Sequence, residues 1–136
     1  MRIYFAASIR GGREDVDIYR QIIHYLQSFS EVLTEHIGDS SLHSLGESQI
    51  NDQDIHDRDI KLLLESDTII AEVTNPSLGV GYEIAKAIQH KKKVICIYRK
   101  KANKRISAMI LGSQDITSLE YQNVESLKKI LPPYLK

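Results

Sequence analysis

Two acidic residues interrupt apolar helical faces in this sequence. Asp59 falls in the stripe that contains Ile55 and Leu62, and Glu83 falls three residues after Val80, where helical spacing asks for an apolar side chain. Acidic side chains are almost never fully buried without a partner, so each must be paired or must face a cleft. For either residue, two structural explanations therefore remain alternatives to a functional cleft: a buried salt bridge, or a position at the edge of the stripe that reaches solvent.

A tyrosine near the amino terminus adds to this chemistry. Tyr4 alternates with Ile3 and Phe5, so its side chain points to the opposite face of the strand from theirs. In a core its hydroxyl would need a partner, whereas near the two acids it could orient a carboxylate or contact a sugar. Two carboxylates that flank a glycosidic bond supply a nucleophile and a proton donor. The three residues together indicate cleavage of a glycosidic bond.

Two glycine-containing loops could hold a phosphate next to these acids. The segments 8–13 (SIRGGR) and 74–79 (TNPSLG) each place a hydroxyl and a glycine at the start of a predicted helix. Backbone amides and a helix amino terminus favour an anion there, and Arg10 adds a fork of donors. Neither loop matches the P-loop or the dinucleotide fingerprint, and each taken alone is more often a tight turn. Combined with the acids, the loops indicate a sugar phosphate that bears a leaving group.

The hydrophobic pattern predicts the elements that would position these residues. Strands are predicted at 2–8, 31–34, 68–73, 93–98 and 118–122, and helices at 13–29, 52–65, 77–90, 105–111 and 124–131. Strands that alternate with helices form a parallel sheet covered on both faces. Such sheets bind ligands beyond the carboxyl ends of their strands, so the loops after the first and third strands are the expected site. The segment 38–51 is predicted to be a loop that could close over a cleft.

Composition bounds the class of protein. The 136 residues suffice for one domain, and we expect a single domain over 1–136. Hydrophobic residues make up 42% and charged residues 26%, which excludes collagenous, low-complexity and wholly disordered chains. The 18 basic and 18 acidic side chains cancel, so no general attraction to nucleic acid or to anionic lipid is expected. No apolar run reaches the roughly 20 residues of a membrane span, and the first residues do not resemble a signal peptide.

The remaining reactive side chains give weaker signals. Cys96 is the single cysteine and lies in an apolar run, which predicts a buried, reduced thiol in a cytoplasmic protein, with a nuclear location left open. The 5 histidines lack metal-ligand spacing, so no metal site is expected. His36 lies at the end of the second predicted strand, where it could contact a ligand or lie on the surface. The basic segments 91–93 and 99–105 flank a strand without interleaved aromatic residues and predict solvated loops rather than a nucleic-acid surface.

Several longer motifs resemble one family of enzymes. They are YFAASIRGGRED at 4–15, LTEH at 33–36, IHDRD at 55–59, AEVTNPSLGVGYE at 71–83 and SAMI at 107–110. In this order they closely resemble the 2'-deoxynucleoside 5'-phosphate N-hydrolases, relatives of the nucleoside 2-deoxyribosyltransferases. The likeness runs from residue 2 to about residue 112, and five ordered motifs are far more specific than one loop.

The resemblance implies a fold, a reaction and three catalytic roles. The fold is a Rossmann-like (flavodoxin-like) five-stranded parallel sheet with helices on both faces, in a homodimer. The reaction is hydrolysis of the bond between base and deoxyribose in a deoxynucleoside monophosphate, to free base and 2-deoxyribose 5-phosphate, with no metal or organic cofactor. Glu83 resembles the family's nucleophile, which forms a glycosyl ester at the anomeric carbon. Asp59 matches the residue that assists departure of the base, and Tyr4 matches the tyrosine that holds carboxylate and sugar in register.

The same resemblance implies a phosphate cradle and further substrate contacts. The cradle comes from the two glycine-containing loops and comprises Ser8, the backbone of Ile9, Arg10, Gly11, Gly12, Ser77 and Gly79. Ser107 resembles a residue that reaches the phosphate from the second subunit. His36 and Ile55 are candidate contacts with the rest of the substrate. Ala7 departs from the family, which commonly has glycine there, and this departure could narrow the approach of the first loop to the sugar.

Two other functions stay open at the level of sequence. A deoxyribosyltransferase would pass the sugar to a second base, although the first loop and Ser107 favour a phosphorylated substrate and hence the hydrolase. A nucleotide-binding sensor would keep the pocket without turnover, although binding alone does not need Asp59 and Glu83 on apolar stripes. The sequence does not select a purine, a pyrimidine or a modified base.

Overall fold

The computed structural model describes residues 1–9, 13–33, 51–101 and 105–136. Its strands are β1 (Arg2–Ala7), β2 (Glu31–Val32), β3 (Thr68–Glu72), β4 (Lys93–Tyr98) and β5 (Ile116–Glu120). Its α-helices are α1 (Arg13–Gln27), α2 (Asp52–Glu65), α3 (Leu78–Gln89), α4 (Ala108–Leu111) and α5 (Val124–Ile130), followed by a 3-10 turn at Pro132–Leu135. The alternation of strands and helices is the one that the hydrophobic pattern predicts.

The five strands form one parallel sheet in the order β2-β1-β3-β4-β5. This arrangement confirms the predicted five-stranded parallel sheet, with β1 and β3 as direct neighbours. Ala7 at the end of β1 pairs with Glu72 at the end of β3. The loops that follow these two strands therefore leave the same edge of the sheet side by side, as the site prediction requires.

The sheet is covered on both faces, and each face has its own core. One core joins the sheet to α1 and α5, and it contains Ile3 and Phe5. The other joins the sheet to α2 and α3, and it contains Tyr4. The predicted alternation of Tyr4 against its neighbours is thus confirmed, and it places the tyrosine on the side of the two acid-bearing helices.

Side-chain caps fix where these two helices begin. Asn51 Oδ1 accepts a hydrogen bond from the Asp54 amide at 2.8 Å before α2, and Ser77 Oγ accepts one from the Val80 amide at 3.2 Å before α3. A cap of this kind contributes about 1 kcal/mol to helix stability. Ser77 therefore precedes α3 as its cap, whereas the sequence pattern had included it in the helix.

The predicted limits of the last strand are wrong by two residues. The strand was expected at 118–122, but β5 pairs Ile116 with Val94 and ends where Glu120 pairs with Tyr98. Ile116 packs against the core on the α2 and α3 side, which brings the amino end of the strand into the sheet. The helix predicted at 13–29 ends at Gln27, and most of the loop predicted at 38–51 lies outside the described residues.

Cys96 is a free cysteine in β4, and its burial confirms the expected placement of this side chain in the core. Burial raises the pKa of this thiol to about 12, so it stays protonated and unreactive at neutral pH. Among the described residues, no helix is both long enough and apolar enough to cross a membrane.

Candidate active site

A hydrogen bond between β1 and α3 forms the centre of the candidate site. The Tyr4 hydroxyl donates to Oε2 of Glu83. Tyr4 is buried in the sheet, whereas Glu83 lies on the edge of the buried face of α3, close to Val80, Ile84 and the core that they form. Glu83, the acid that interrupts the apolar stripe of α3, therefore has a neutral hydroxyl as its hydrogen-bond donor.

The environment of this pair opposes ionisation. Burial raises the pKa of the Glu83 carboxyl to about 7, the hydrogen bond from Tyr4 works in the opposite direction, and the negative charge of Asp59 raises the pKa further. Burial and the nearby Glu83 carboxylate raise the pKa of the Tyr4 hydroxyl above its usual range. Tyr4 therefore remains a donor, and Glu83 changes its charge close to neutral pH.

Asp59 reaches the same place from α2. Its negative charge raises the pKa of both Tyr4 and Glu83, so Asp59 lies within electrostatic range of the hydrogen-bonded pair. Its Oδ1 also accepts a hydrogen bond from Nε of the adjacent Arg58 at 2.9 Å, and its side chain is 26% exposed. Asp59 thus lies at a stripe edge that reaches solvent and carries an ion pair, whereas Glu83 is held by a hydroxyl.

Exposed polar side chains bridge α2 and α3 close to the two acids. His56 Nε2 lies 2.9 Å from the Tyr82 hydroxyl, and the Lys86 ammonium lies 5.6 Å from the centre of the Tyr82 ring. His56 is one helical turn before Asp59, and Tyr82 is adjacent to Glu83 in sequence. Ile55, a predicted substrate contact, is half-buried in the first turn of α2.

The loop after β1 is described only at its beginning. Ser8 is buried directly after the strand, and Ile9 is largely exposed. Arg10, Gly11 and Gly12, which were predicted to complete the phosphate cradle, lie outside the described residues, as does the candidate contact His36.

The loop after β3 borders a cavity of about 380 Å³. Ser77 lies on its wall, and Ser107, the cap of α4, lies on the wall of the same cavity. Val80 and Ile84 line this cavity, whereas Glu83, on the same helix, does not. A Cβ atom at Gly79 would have Ser77 Oγ, 3.9 Å away, as its nearest neighbour, which leaves room for an approaching atom at this glycine.

A buried polar cluster under these loops did not emerge from the sequence. We call it the Arg99 network; its members are Asp15, Glu72, Thr74, Asn75, Arg99 and Tyr121. Glu72 offered a signal in the sequence, because it is an acid in a predicted strand whose other residues are almost all apolar, and the structure shows it fully buried.

Metal ligands are not grouped in the described parts of the chain. Within them, no three histidine, cysteine or acidic side chains are placed so that they could hold a metal ion.

Comparisons with known proteins agree with the motifs. The sequence model of the family described as nucleoside 2-deoxyribosyltransferase matches residues 3–125. A protein of Nematostella vectensis, named as a 2'-deoxynucleoside 5'-phosphate N-hydrolase, is 55% identical over 116 residues, which cover 84% of this chain and 78% of that protein. A 5-hydroxymethyl-dUMP N-hydrolase of Esox lucius is 48% identical over 140 residues, which cover 100% of this chain and 97% of that protein.

A solved structure shares the fold at low sequence identity. The CMP N-glycosidase of Clostridium botulinum superposes with a TM-score of 0.66 at 18% identity, over 98% of this chain and 99% of that one. This likeness supports the architecture of the sheet and its helices.

Proposed function

The chain belongs to the nucleoside 2-deoxyribosyltransferase family, and from this premise we propose that it is an N-glycosidase of 2'-deoxynucleoside 5'-monophosphates. It hydrolyses the bond between base and sugar and releases free base and 2-deoxyribose 5-phosphate. The observation that carries the proposal is the hydrogen bond from Tyr4 to Glu83, with the charge of Asp59 beside it. This arrangement supplies the two carboxyl groups that glycosidic cleavage requires, together with a hydroxyl that orients one of them.

In the proposed mechanism Glu83 is the nucleophile. A carboxylate oxygen of Glu83 attacks the anomeric carbon, and the bonding electrons of the broken bond pass to the base nitrogen, which takes up a proton as the base leaves with the assistance of Asp59. Water then attacks the same carbon and displaces Glu83 as a carboxylate, which yields 2-deoxyribose 5-phosphate, and the proton that the water loses replaces the one that the base took up. Tyr4 holds the attacking carboxylate in one orientation, because its buried hydroxyl has Glu83 as its acceptor.

The proposed phosphate site lies at the edge where β1 and β3 end. Ser8 follows β1 directly, and Ser77 caps the helix that follows β3, next to the open space at Gly79. The sequence motif adds further proposed phosphate contacts, which are the backbone of Ile9 and the residues Arg10, Gly11 and Gly12. Ionic and hydrogen-bond contacts to a phosphate far from the reacting bond supply binding energy that can be used in the transition state.

The decisive experiment measures the products. The protein is incubated with a panel of deoxynucleoside 5'-monophosphates that includes 5-hydroxymethyl-dUMP, which the name of the Esox lucius relative suggests. Release of free base with an equal amount of 2-deoxyribose 5-phosphate is the expected result. Adding a second base tests the transferase alternative, since a new nucleotide formed at the expense of the sugar phosphate would show transfer instead of hydrolysis.

Two glutamine variants make this experiment specific. Glu83→Gln removes the nucleophile while it keeps the size of the side chain, so base release should fall to the background rate. Glu65→Gln makes the same change at an exposed residue at the end of α2 and should retain activity. An active Glu83→Gln variant would contradict the mechanism, and binding without turnover in the unaltered protein would indicate a nucleotide sensor.

We also propose that the active unit is a homodimer in which Ser107 contacts the phosphate bound by the neighbouring subunit. Leu78 is 97% exposed and Met109 is 83% exposed, and both border the cavity that Ser77 and Ser107 line. Apolar side chains exposed together beside a binding site are typical of surfaces that a partner covers. Burial against a second copy would remove both from water and would bring a second Ser107 towards this edge of the sheet.

A further inference from the structure

The Arg99 network connects α1 with the ends of the strands β3, β4 and β5, at the edge of the sheet where ligands are expected. Arg99 follows β4 and donates from Nη2 to Oδ1 of Asp15 in α1 at 2.5 Å, and from Nε to Oε2 of Glu72 at the end of β3 at 3.3 Å. The other carboxylate oxygen of Asp15 accepts a hydrogen bond from Nδ2 of Asn75 at 2.6 Å. Asp15 thus links α1 both to β4 and to the turn that precedes α3.

The carboxylate of Glu72 has its own donors in this network. Its Oε1 accepts a hydrogen bond from the Thr74 amide at 2.7 Å, and its Oε2 accepts one from the Tyr121 hydroxyl at 2.5 Å. The Thr74 hydroxyl in turn accepts a hydrogen bond from the Arg99 amide at 2.9 Å. The turn after β3 is therefore fixed through its backbone as well as through its side chains.

The charges of the network are matched within the protein. Burial alone would raise the pKa of Asp15, but the hydrogen bonds from Arg99 and Asn75 outweigh it and hold the pKa below its ordinary value. Lys101 Nζ lies 3.8 Å from Asp15 Oδ1, so two cations accompany the carboxylates of Asp15 and Glu72. Arg99 and Asp15 are buried, and the hydrogen bonds from Arg99 Nε and Nη2 and those to both Asp15 oxygens are made within the protein.

Stability alone is a weak explanation for such a cluster. Replacing a buried ion pair with apolar side chains of similar volume is often neutral or stabilising, because desolvation offsets most of the attraction between the charges. What the charged groups add is geometry, since hydrogen bonds with fixed directions leave little freedom to the loops that they join. The location of this constraint, between the first turn of α1 and the turn that follows β3, is the location of the proposed phosphate site.

We propose that the Arg99 network positions the turn that leads to Ser77 against the first turn of α1, and that the hydrogen bond from Asn75 to Asp15 is the link on which phosphate affinity depends. This inference rests on the proposed function. Asn75 lies two residues before Ser77, and Asp15 lies in the first turn of the helix that follows the Ser8 loop. The link therefore sets the distance between the first turn of α1 and the turn that leads to Ser77, and its residues act through these two turns.

The network and the reacting groups lie on opposite faces of the sheet. Glu72 and Ile70 alternate to the face of α1 and α5, and Tyr121 is part of the core there. Tyr4 belongs to the other face, with α2 and α3. Loss of the link should therefore weaken binding of the phosphate while the Tyr4 to Glu83 hydrogen bond stays intact, which predicts a change in KM without a matching change in kcat.

The test compares two asparagine-to-alanine variants of the full chain. Asn75→Ala removes the link, and Asn123→Ala removes a hydrogen bond of similar length, 2.8 Å to the Ser126 amide, at the start of the remote helix α5. For Asn75→Ala we expect KM for the deoxynucleoside monophosphate and the inhibition constant of inorganic phosphate to rise together by about tenfold, which corresponds to about 1.4 kcal/mol. We expect kcat to change less than about twofold, and Asn123→Ala to keep both constants at the level of the unaltered protein.

Each outcome of this test is informative. An unchanged KM and phosphate inhibition constant in a folded Asn75→Ala protein would overturn the inference, as would an equal rise in both variants. If Asn75→Ala fails to fold, Asn75→Asp keeps the size of the side chain and replaces the donor with an acceptor, and the same rise is expected. If the unaltered protein releases no base, the proposed function fails, and calorimetry with inorganic phosphate still decides whether Asn75 controls anion binding.

Discussion

The Tyr4 hydroxyl donates a hydrogen bond to the Glu83 carboxylate across 79 positions of sequence, and this contact joins the first strand to the helix after the third. Burial and the charge of Asp59 raise the pKa of the carboxyl to about 7, while the tyrosine works against them. The pair thus combines a carboxylate that is poorly solvated, and hence reactive, with a donor that keeps its ionised form accessible near neutral pH.

The first prediction concerns the pH dependence of catalysis. A nucleophilic Glu83 must be ionised, so kcat/KM should rise with pH through about 7 and then level off. In Tyr4→Phe the donor that lowers this pKa is lost, so the rise should move to higher pH. The substrate phosphate also titrates near pH 6, but its titration is the same in both proteins. A rise at the same pH in both proteins would show that Tyr4 does not set the ionisation of Glu83.

The second prediction concerns stability and follows from the same shift. The folded-state pKa of Glu83 is raised above the unfolded value of about 4.5, so its contribution to stability is complete below about pH 4.5 and is lost as pH rises to about 7. Relative to the unaltered protein, Glu83→Gln should therefore gain up to about 3 kcal/mol of unfolding free energy across this window. Urea unfolding at several pH values measures the difference, with Glu65→Gln as the exposed control. A difference that does not vary with pH would contradict the shifted pKa.

The candidate catalytic residues could be predicted because their signals are local. Asp59 and Glu83 are acids at positions where helical spacing predicts apolar residues. The alternation of Ile3, Tyr4 and Phe5 predicts which face of the sheet the tyrosine occupies. The pairing of β1 with β3 then places the helix that follows β3 beside β1, where Glu83 meets Tyr4. Local patterns determined which faces the side chains occupy, and a parallel sheet left few ways to combine them.

The Arg99 network could not be predicted by the same means. Its members come from four separate elements, and Arg99 is 84 positions from its partner Asp15. Each member alone is compatible with a loop or a strand end, because no periodicity relates them. Only the register of β3 beside β1 and β4 shows that Glu72 and Arg99 share one side of the sheet edge.

The third prediction separates phosphorylated from unphosphorylated substrates. If Ser8 and Ser77 bind the phosphate, a deoxynucleoside should have a kcat/KM at least about a hundredfold below that of its 5'-monophosphate, because charge-assisted hydrogen bonds contribute about 1.5–3 kcal/mol each. Base release from thymidine and from its monophosphate, measured side by side, checks this ratio. Comparable turnover of the two would remove the phosphate site from the proposal.

The fourth prediction compares a buried and an exposed arginine. Arg99→Ala leaves the carboxylates of Asp15 and Glu72 buried with one cation fewer, and breaking a buried pair in this way costs about 3–5 kcal/mol of unfolding free energy. Arg2→Ala removes an exposed pair with Glu31, 3.2 Å away, which costs at most about 1 kcal/mol. Urea unfolding of both variants at neutral pH gives the two values, and equal losses would mean that the Arg99 network is energetically no different from a surface pair.

The last prediction decides which subunit's Ser107 serves a given phosphate. Ser107 and Ser77 border one cavity within a single chain, so a contact in the same subunit is the alternative to the proposed contact across a dimer. In a two-fold dimer that combines one Ser107→Ala subunit with one Glu83→Gln subunit, a contact across the interface gives the subunit that retains Glu83 an intact Ser107 from its neighbour. That mixed dimer, prepared by co-expression with two different tags, should then exceed the kcat/KM of the Ser107→Ala dimer and reach roughly half that of the unaltered protein. A contact within one subunit leaves the subunit that retains Glu83 without its serine, so the mixed dimer would reach only about half the value of the Ser107→Ala dimer.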